Sequence, residues 1–131
     1  MLVSDLKKAY NTIKTSLLDC HLRRLLWYDP DDIERDDPQL QTYGMTTVAF
    51  GDTPAQYILE VAKMEISNYC RDVLNDSDLS IKILNQSYVD DIVFSFETLL
   101  EAEAHKEKLP IAFGSLGFKL KQIVIAGERV E

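Results

Sequence analysis

Residues 55–73 carry the pattern that most limits the fold. Ala55, Ile58, Leu59, Ala62, Ile66, Tyr69 and Val73 recur at three- and four-residue spacing. That period gathers apolar side chains into one stripe of an α-helix. A helix with one apolar stripe draws most of its stability from the surface that stripe covers, so the rest of the chain has to supply that surface. The start is signalled by Thr53-Pro54-Ala55-Gln56. Thr53 is placed to cap, Pro54 is tolerated at the first helical position, and Gln56 completes a capping box. The helix is expected to run to about residue 74.

The segments around it read as short strands and one further helix. Met1-Leu2-Val3 predicts a buried strand running into Ser4-Asp5, and residues 6–15 predict a helical turn or two. Leu22, Leu25, Leu26, Trp27 and Tyr28 predict a strand. Residues 29–42, with Pro30 and Pro38, predict a solvated acidic loop joining a hairpin. A calcium loop is the rival for that charge run, but Pro38 and the lack of a glycine argue against an EF-hand. Residues 43–50 alternate as a strand does, with Thr and Val favouring the pleat. Past a break at 75–80, Ile81, Ile83 and Leu84 predict a short strand. Val89 to Phe96 predict another, with Asp90-Asp91 at or near the turn. Thr98 and Glu101 form a second capping box. The helix it opens carries Leu99, Ala102 and Leu109, and Pro110 is expected to kink or end it. Gly114 and Gly117 turn the chain into a final strand over 118–126.

After the opening strand the order is helix, strand, strand, helix, strand. That predicts an α+β domain: a small antiparallel sheet with helices on one face, of split βαββαβ, ferredoxin-like type. Residues 14–50 insert a hairpin as an outgrowth. The 131 residues amount to one domain. No apolar run reaches the roughly 18 residues of a membrane span, and no secretory signal opens the sequence. A cytoplasmic or nuclear setting is expected, and the two cysteines, Cys20 and Cys70, fit it.

The net charge is -8, which weighs against a free-standing nucleic-acid clamp, because phosphate contacts need basic groups. It says nothing against a metal. Asp5 closes an apolar strand, and Asp90 and Asp91 sit in an apolar hairpin. If the opening strand lies beside that hairpin, the carboxylates meet, and gathered carboxylates need a cation to stay ionised together. Hard oxygen donors favour magnesium. Two such ions can activate an attacking oxygen and neutralise a leaving pyrophosphate. An acidic turn in an ordinary hairpin is the competing account of Tyr88-Val89-Asp90-Asp91.

Three segments occur in an ordered series: LVSDLKKAYNTI at 2–13, VAFGDTPAQ at 48–56 and SYVDDIVFS at 87–95. Together they resemble the palm of a reverse transcriptase, most closely that of BEL/Pao-type LTR retrotransposons. Arg24-Leu25-Leu26-Trp27 resembles that class's "RFLW" strand, and GSLGFKLKQ at 114–122 resembles the element that follows its YVDD hairpin. The resemblance implies an RNA-directed DNA polymerase that transfers deoxynucleotides to a primer 3'-hydroxyl with two magnesium ions. Its partners would be an RNA or DNA template-primer and a deoxynucleoside triphosphate. It implies Asp5, Asp90 and Asp91 as catalytic metal ligands. It implies Tyr10 as the aromatic gate against a ribose 2'-hydroxyl, and Phe50 and Gly51 as the loop over the incoming nucleotide. Tyr88 falls near the primer terminus, and Lys119 and Lys121 near an element that supplies a proton.

The pattern also departs from that family. Gly51 and Pro54 lie three apart, where the family has two more residues, which shortens the nucleotide loop. A basic fingers segment ahead of Asp5 and a thumb beyond residue 131 are not represented. The chain therefore reads as a partial domain, palm plus part of the fingers, with 14–50 on the fingers side. The alternative is a truncated, catalytically inactive palm remnant acting at most as an interaction or structural protein. The isolated chain is expected to bind nucleic acid weakly and to self-associate through apolar surface left bare.

Other constellations carry less. Cys20, His21, Cys70 and His105 match no zinc-module spacing. Ser16 and Ser115 lack a nucleophile turn. Gly114-Ser115-Leu116-Gly117 lacks the ending of a phosphate loop and precedes a strand instead of following one. Trp27 reads as core.

Overall fold

The computed structural model describes residues 1–126. Twelve elements follow in order: β1 (Leu2–Lys7), α1 (Ala9–Thr12), α2 (Leu17–Cys20), β2 (Arg24–Tyr28), β3 (Leu40–Gly44), α3 (Ala55–Asp72), α4 (Ser77–Asn85), β4 (Ser87–Tyr88), β5 (Asp91–Phe94), α5 (Leu99–Gly114), β6 (Lys119–Leu120) and β7 (Val124–Ile125). The main sheet has the order β4-β5-β1-β6, with β7 also against β1, and every pairing is antiparallel. With β6 and β7 taken as one interrupted last strand, this is the strand order of a split βαββαβ arrangement. The domain is α+β, as expected.

Alternation along β1 sets the two faces of the sheet. Leu2, Ser4 and Leu6 are buried, whereas Val3, Asp5 and Lys7 point the other way. Ile92 and Phe94 of β5 and Ile125 of β7 join the buried face, and Leu59, Ile66, Leu79, Ile83, Leu109 and Phe113 of the helices pack against it. The helices thus cover one face only. The other stays open, with Val3, Val93 and Val124 between 36% and 43% exposed.

Several elements differ from expectation. β1 does not stop at Val3 but continues to Lys7, so Asp5 lies inside a paired strand. α1 is a single turn in consequence. α3 starts at Ala55 with no side-chain cap from Pro54, and the capping box expected of Thr53 and Gln56 does not form. Asp52 organises this corner instead: its carboxylate accepts the Ala49 N–H at 3.1 Å and pairs with Arg23 at 3.0 Å. The buried stripe of α3 is Ala55, Leu59, Lys63, Ile66, Ser67 and Cys70, and Val73 is exposed. The stripe has turned because α4, not only the sheet, packs on it. Ser67 and Ser80 meet at 2.7 Å in that contact.

The strand expected at 81–84 is the helix α4. Asp76 caps it by accepting the Leu79 N–H at 2.9 Å, and Leu79 and Ile83 bury one turn apart. Asn75 makes the junction by taking φ +51, and the Asp76 N–H then closes on the Cys70 carbonyl at 2.9 Å. Pro110 does not end α5, which runs on to Gly114 because Leu109, Ala112 and Phe113 are held in the core. The Thr98–Glu101 capping box forms as read. The last strand is interrupted at 121–123, yet Lys121 N–H still donates to Asp5 O at 2.8 Å and Ala126 N–H to Met1 O at 2.7 Å.

The excursion over 14–50 is a hairpin, β2 with β3, in register from Arg24↔Gly44 to Tyr28↔Leu40. The acidic residues from Asp29 to Asp37 form its connection. Strand structure in the expected 43–50 segment is confined to Tyr43 and Gly44 at the end of β3 and an isolated antiparallel bridge of Thr47 to Lys14. Residues 45–50 instead bind the hairpin to the body, through Val48 N–H to Ile13 O at 2.9 Å and burial of Val48. Trp27, read as core, is 59% exposed, because the hairpin is covered on neither face.

Candidate metal centre

Asp5 and Asp91 are direct partners across β1 and β5, so their side chains leave the same, open face of the sheet. Asp90 occupies the turn between β4 and β5, whose flanking residues Tyr88 and Asp91 are paired. This leaves Val89 and Asp90 as a two-residue loop. The first central residue of such a turn commonly needs positive φ, a conformation that suits glycine. Here it is a β-branched residue: Val89 stands at φ +52, a genuine outlier. Its partly buried side chain packs against the core, and that packing holds the turn. Leu6 N–H donates to the Asp90 carbonyl at 2.9 Å, fixing the turn to β1.

Carboxylate oxygens of Asp5, Asp90 and Asp91 lie within 4.8 Å of one another, and among the described residues no other set of three Asp, Glu, His or Cys side chains comes together this way. The set fits a hard divalent cation. Oxygens on one octahedral magnesium sit about 2.9–4.1 Å apart, as bond lengths near 2.05 Å require, so small side-chain rotations close the set. Asp5 Oδ1 is buried without a hydrogen-bond partner, an orphaned acceptor at the place a ligand oxygen is needed.

A cation of the chain itself already stands there. The Lys121 ammonium pairs with Asp5 Oδ2. That hydrogen bond and the Asp5, Asp90 and Asp91 charges hold the Lys121 proton on more tightly than usual. Lys121 therefore neutralises part of a cluster that would otherwise repel itself.

Beside the acids opens a cleft of about 200 Å³ whose walls include Tyr10, Phe50, Asp90 and Lys121. The Tyr10 and Phe50 rings meet edge to face with centroids 5.8 Å apart, although Phe50 is otherwise 88% exposed. Partial burial, then the Asp90 and Glu60 charges, push the Tyr10 phenol upward. Gly51 stands at φ +88, which explains glycine after Phe50. It does not line the cleft. Tyr88, the last residue of β4, is exposed beside the acidic turn.

Behind the turn lies a residue that hydropathy does not pick out. Lys63 on α3 is 1% exposed. Its ammonium pairs with Glu60 at 2.6 Å and donates to Ser87 Oγ at 3.2 Å. The network ties α3 to β4, the strand that delivers the acidic turn. The available signal was position: Lys63 follows Leu59 by four residues and precedes Ile66 by three, inside the apolar stripe. The zinc reading finds no support in placement, since Cys20 and Cys70 are both buried free thiols, His21 is exposed, and His105 Nδ1–H donates to Glu101 O at 2.8 Å.

Comparison of the sequence with protein-family models and with curated proteins returns no match.

Proposed function

We propose that the chain is the palm portion of an RNA-directed DNA polymerase, in which Asp5, Asp90 and Asp91 hold magnesium and the adjoining cleft takes a deoxynucleoside triphosphate. One observation carries the reading. Carboxylates far apart in sequence are brought into a single cluster by strand pairing, next to a cleft walled by Tyr10 and Phe50. Magnesium bound by such a set would acidify an attacking hydroxyl and offset charge on a departing pyrophosphate. The chain's own groups orient the substrate. Tyr10 sits where a sugar would crowd against it, Phe50 closes the outer wall, and the Lys63–Ser87 contact steadies the acidic turn.

A second reading, an inactive remnant, is favoured by the Lys121–Asp5 pair and by the short Gly51–Pro54 loop. Titration with manganese as a paramagnetic probe separates them when run beside primer extension with magnesium. The polymerase reading expects manganese binding that Asp90→Asn abolishes, and template-dependent extension lost in the same variant. Manganese binding without extension supports the remnant. Binding unchanged in Asp90→Asn removes the metal centre and the polymerase reading with it, and leaves the remnant.

A further inference from the structure

The open face of the sheet is ordered in rows. Val93, Val3 and Val124 form one, and Asp91 and Asp5, with Lys121 on the far side, the next. The third row is Lys7 opposite Lys119. Two lysines paired directly across strands repel each other, an unfavourable choice in a chain of net charge -8 unless something negative lies between them. Lys8 adds a third ammonium, held by a backbone at φ 54, ψ 46, the left-handed region a lysine seldom occupies. Lys7, Lys8 and Lys119, with Asn11, Thr12 and Gly117, line a cleft of about 330 Å³ that contains no acidic residue. Among the described residues none of the three ammonium groups has an ion-pair or hydrogen-bond partner. Lys8 and Asn11 also line the cleft of Tyr10 and Phe50, so the two spaces adjoin.

We propose that Lys7, Lys8 and Lys119 form a binding site for the terminal phosphates of a polyphosphate-bearing ligand, a nucleoside triphosphate in the function proposed above, on which the choice of ligand rests. The acidic row lies one pleat, about 7 Å, along β1 from the lysine row. A phosphate chain anchored at the carboxylates through a cation extends toward Lys7 and Lys119. The chain thus carries within its first strand and its β6 the positive charge that a polyphosphate tail requires, and Lys121 keeps the acidic row from repelling it.

The test uses tripolyphosphate, dATP and a single-stranded oligodeoxynucleotide as probes, titrated by calorimetry in EDTA. The proteins are the wild type, Lys7→Met/Lys119→Met, Lys14→Met and Asp90→Asn. The expected result is tripolyphosphate and dATP binding weakened at least about tenfold in the double variant but unchanged in Lys14→Met and kept in Asp90→Asn. The double variant should also melt no lower than the wild type without anion, since it relieves the cross-strand repulsion, and should lose the rise in Tm that tripolyphosphate gives the wild type. Equal loss in Lys14→Met, or no tripolyphosphate binding by the wild type, overturns the site. Loss confined to the oligonucleotide overturns the triphosphate assignment in favour of phosphodiester contacts. Failure of the metal centre is read separately, as absent manganese binding, and leaves the EDTA result standing.

Discussion

Val89 holds the acidic turn in a backbone conformation that its own side chain disfavours, and the substitution series there should run against the usual order. In a strand, glycine is worse than alanine by about 0.5–1 kcal/mol. At φ +52, Val89→Ala loses packing and keeps a strain of about 1–3 kcal/mol, whereas Val89→Gly loses the packing and sheds the strain. Urea denaturation should therefore show Val89→Gly at least as stable as Val89→Ala. Lys121 makes a second residue-scale prediction. Lys121→Met removes the ammonium paired with Asp5 and should tighten manganese binding several-fold, because the ion no longer displaces a resident cation. An unchanged affinity would mean that Lys121 stands outside the centre. Burial, with Asp76 adding, pushes the Cys70 thiol up to about 11, so it should resist thiol reagents at neutral pH in the native state and react on unfolding. Position along the chain already marked Asp5, Asp90 and Asp91, since acids in apolar surroundings stand out. Lys63 and the Lys7–Lys119 pairing did not stand out. Burial of one and juxtaposition of the others depend on neighbours distant in sequence.

α4 shows how an element can be misread and why. Ile81, Ile83 and Leu84 look strand-like because β-branched residues favour the pleat. The determining features are the Asp76 cap and the one-turn spacing of Leu79 and Ile83 against α3. Asp76 also receives the Lys108 ammonium of α5 at 2.6 Å, so it fastens two helices. Burial pushes its carboxyl upward, but the Lys108 hydrogen bond, the Leu79 N–H and His105 together outweigh this and hold it below the usual range. A group whose folded value is lowered stabilises fully above its unfolded value, about 3.9, and loses that contribution as pH falls through the folded one. Stability should therefore fall on acidification below about pH 4 more in the wild type than in Asp76→Asn, measured by denaturation at several pH values. At pH 7, Asp76→Ala should cost about 2 kcal/mol, from a lost cap and a broken, half-buried ion pair. Pro110 was expected to kink or end α5, also on local grounds, and packing of the following turn carries the helix on to Gly114.

Taken whole, the molecule has one covered sheet face and a hairpin with none. In β2–β3, Leu26, Tyr28 and Leu40 share one side and Leu25, Trp27 and Tyr43 the other, and all are exposed. A lone two-stranded ribbon is marginal in water, and apolar residues on both sides invite a partner. Sedimentation velocity should show concentration-dependent association of the wild type that Leu26→Lys/Leu40→Lys reduces. A wild type that stays monomeric at high concentration would refute this. Among the described residues no helix is long and apolar enough to cross a membrane, so this surface is not explained by a helical span.

Local order in the chain was enough to specify the α+β class, the two long helices, the hairpin and the three acids, because periodicity, caps and turn chemistry act over a few residues. Tertiary structure alone decided which strands became neighbours. That choice placed Asp5 opposite Asp91 and Lys7 opposite Lys119, and packing of α4 turned the buried stripe of α3. Each of these depends on surfaces contributed by residues far apart in sequence, whose free energy of contact outweighs local preference.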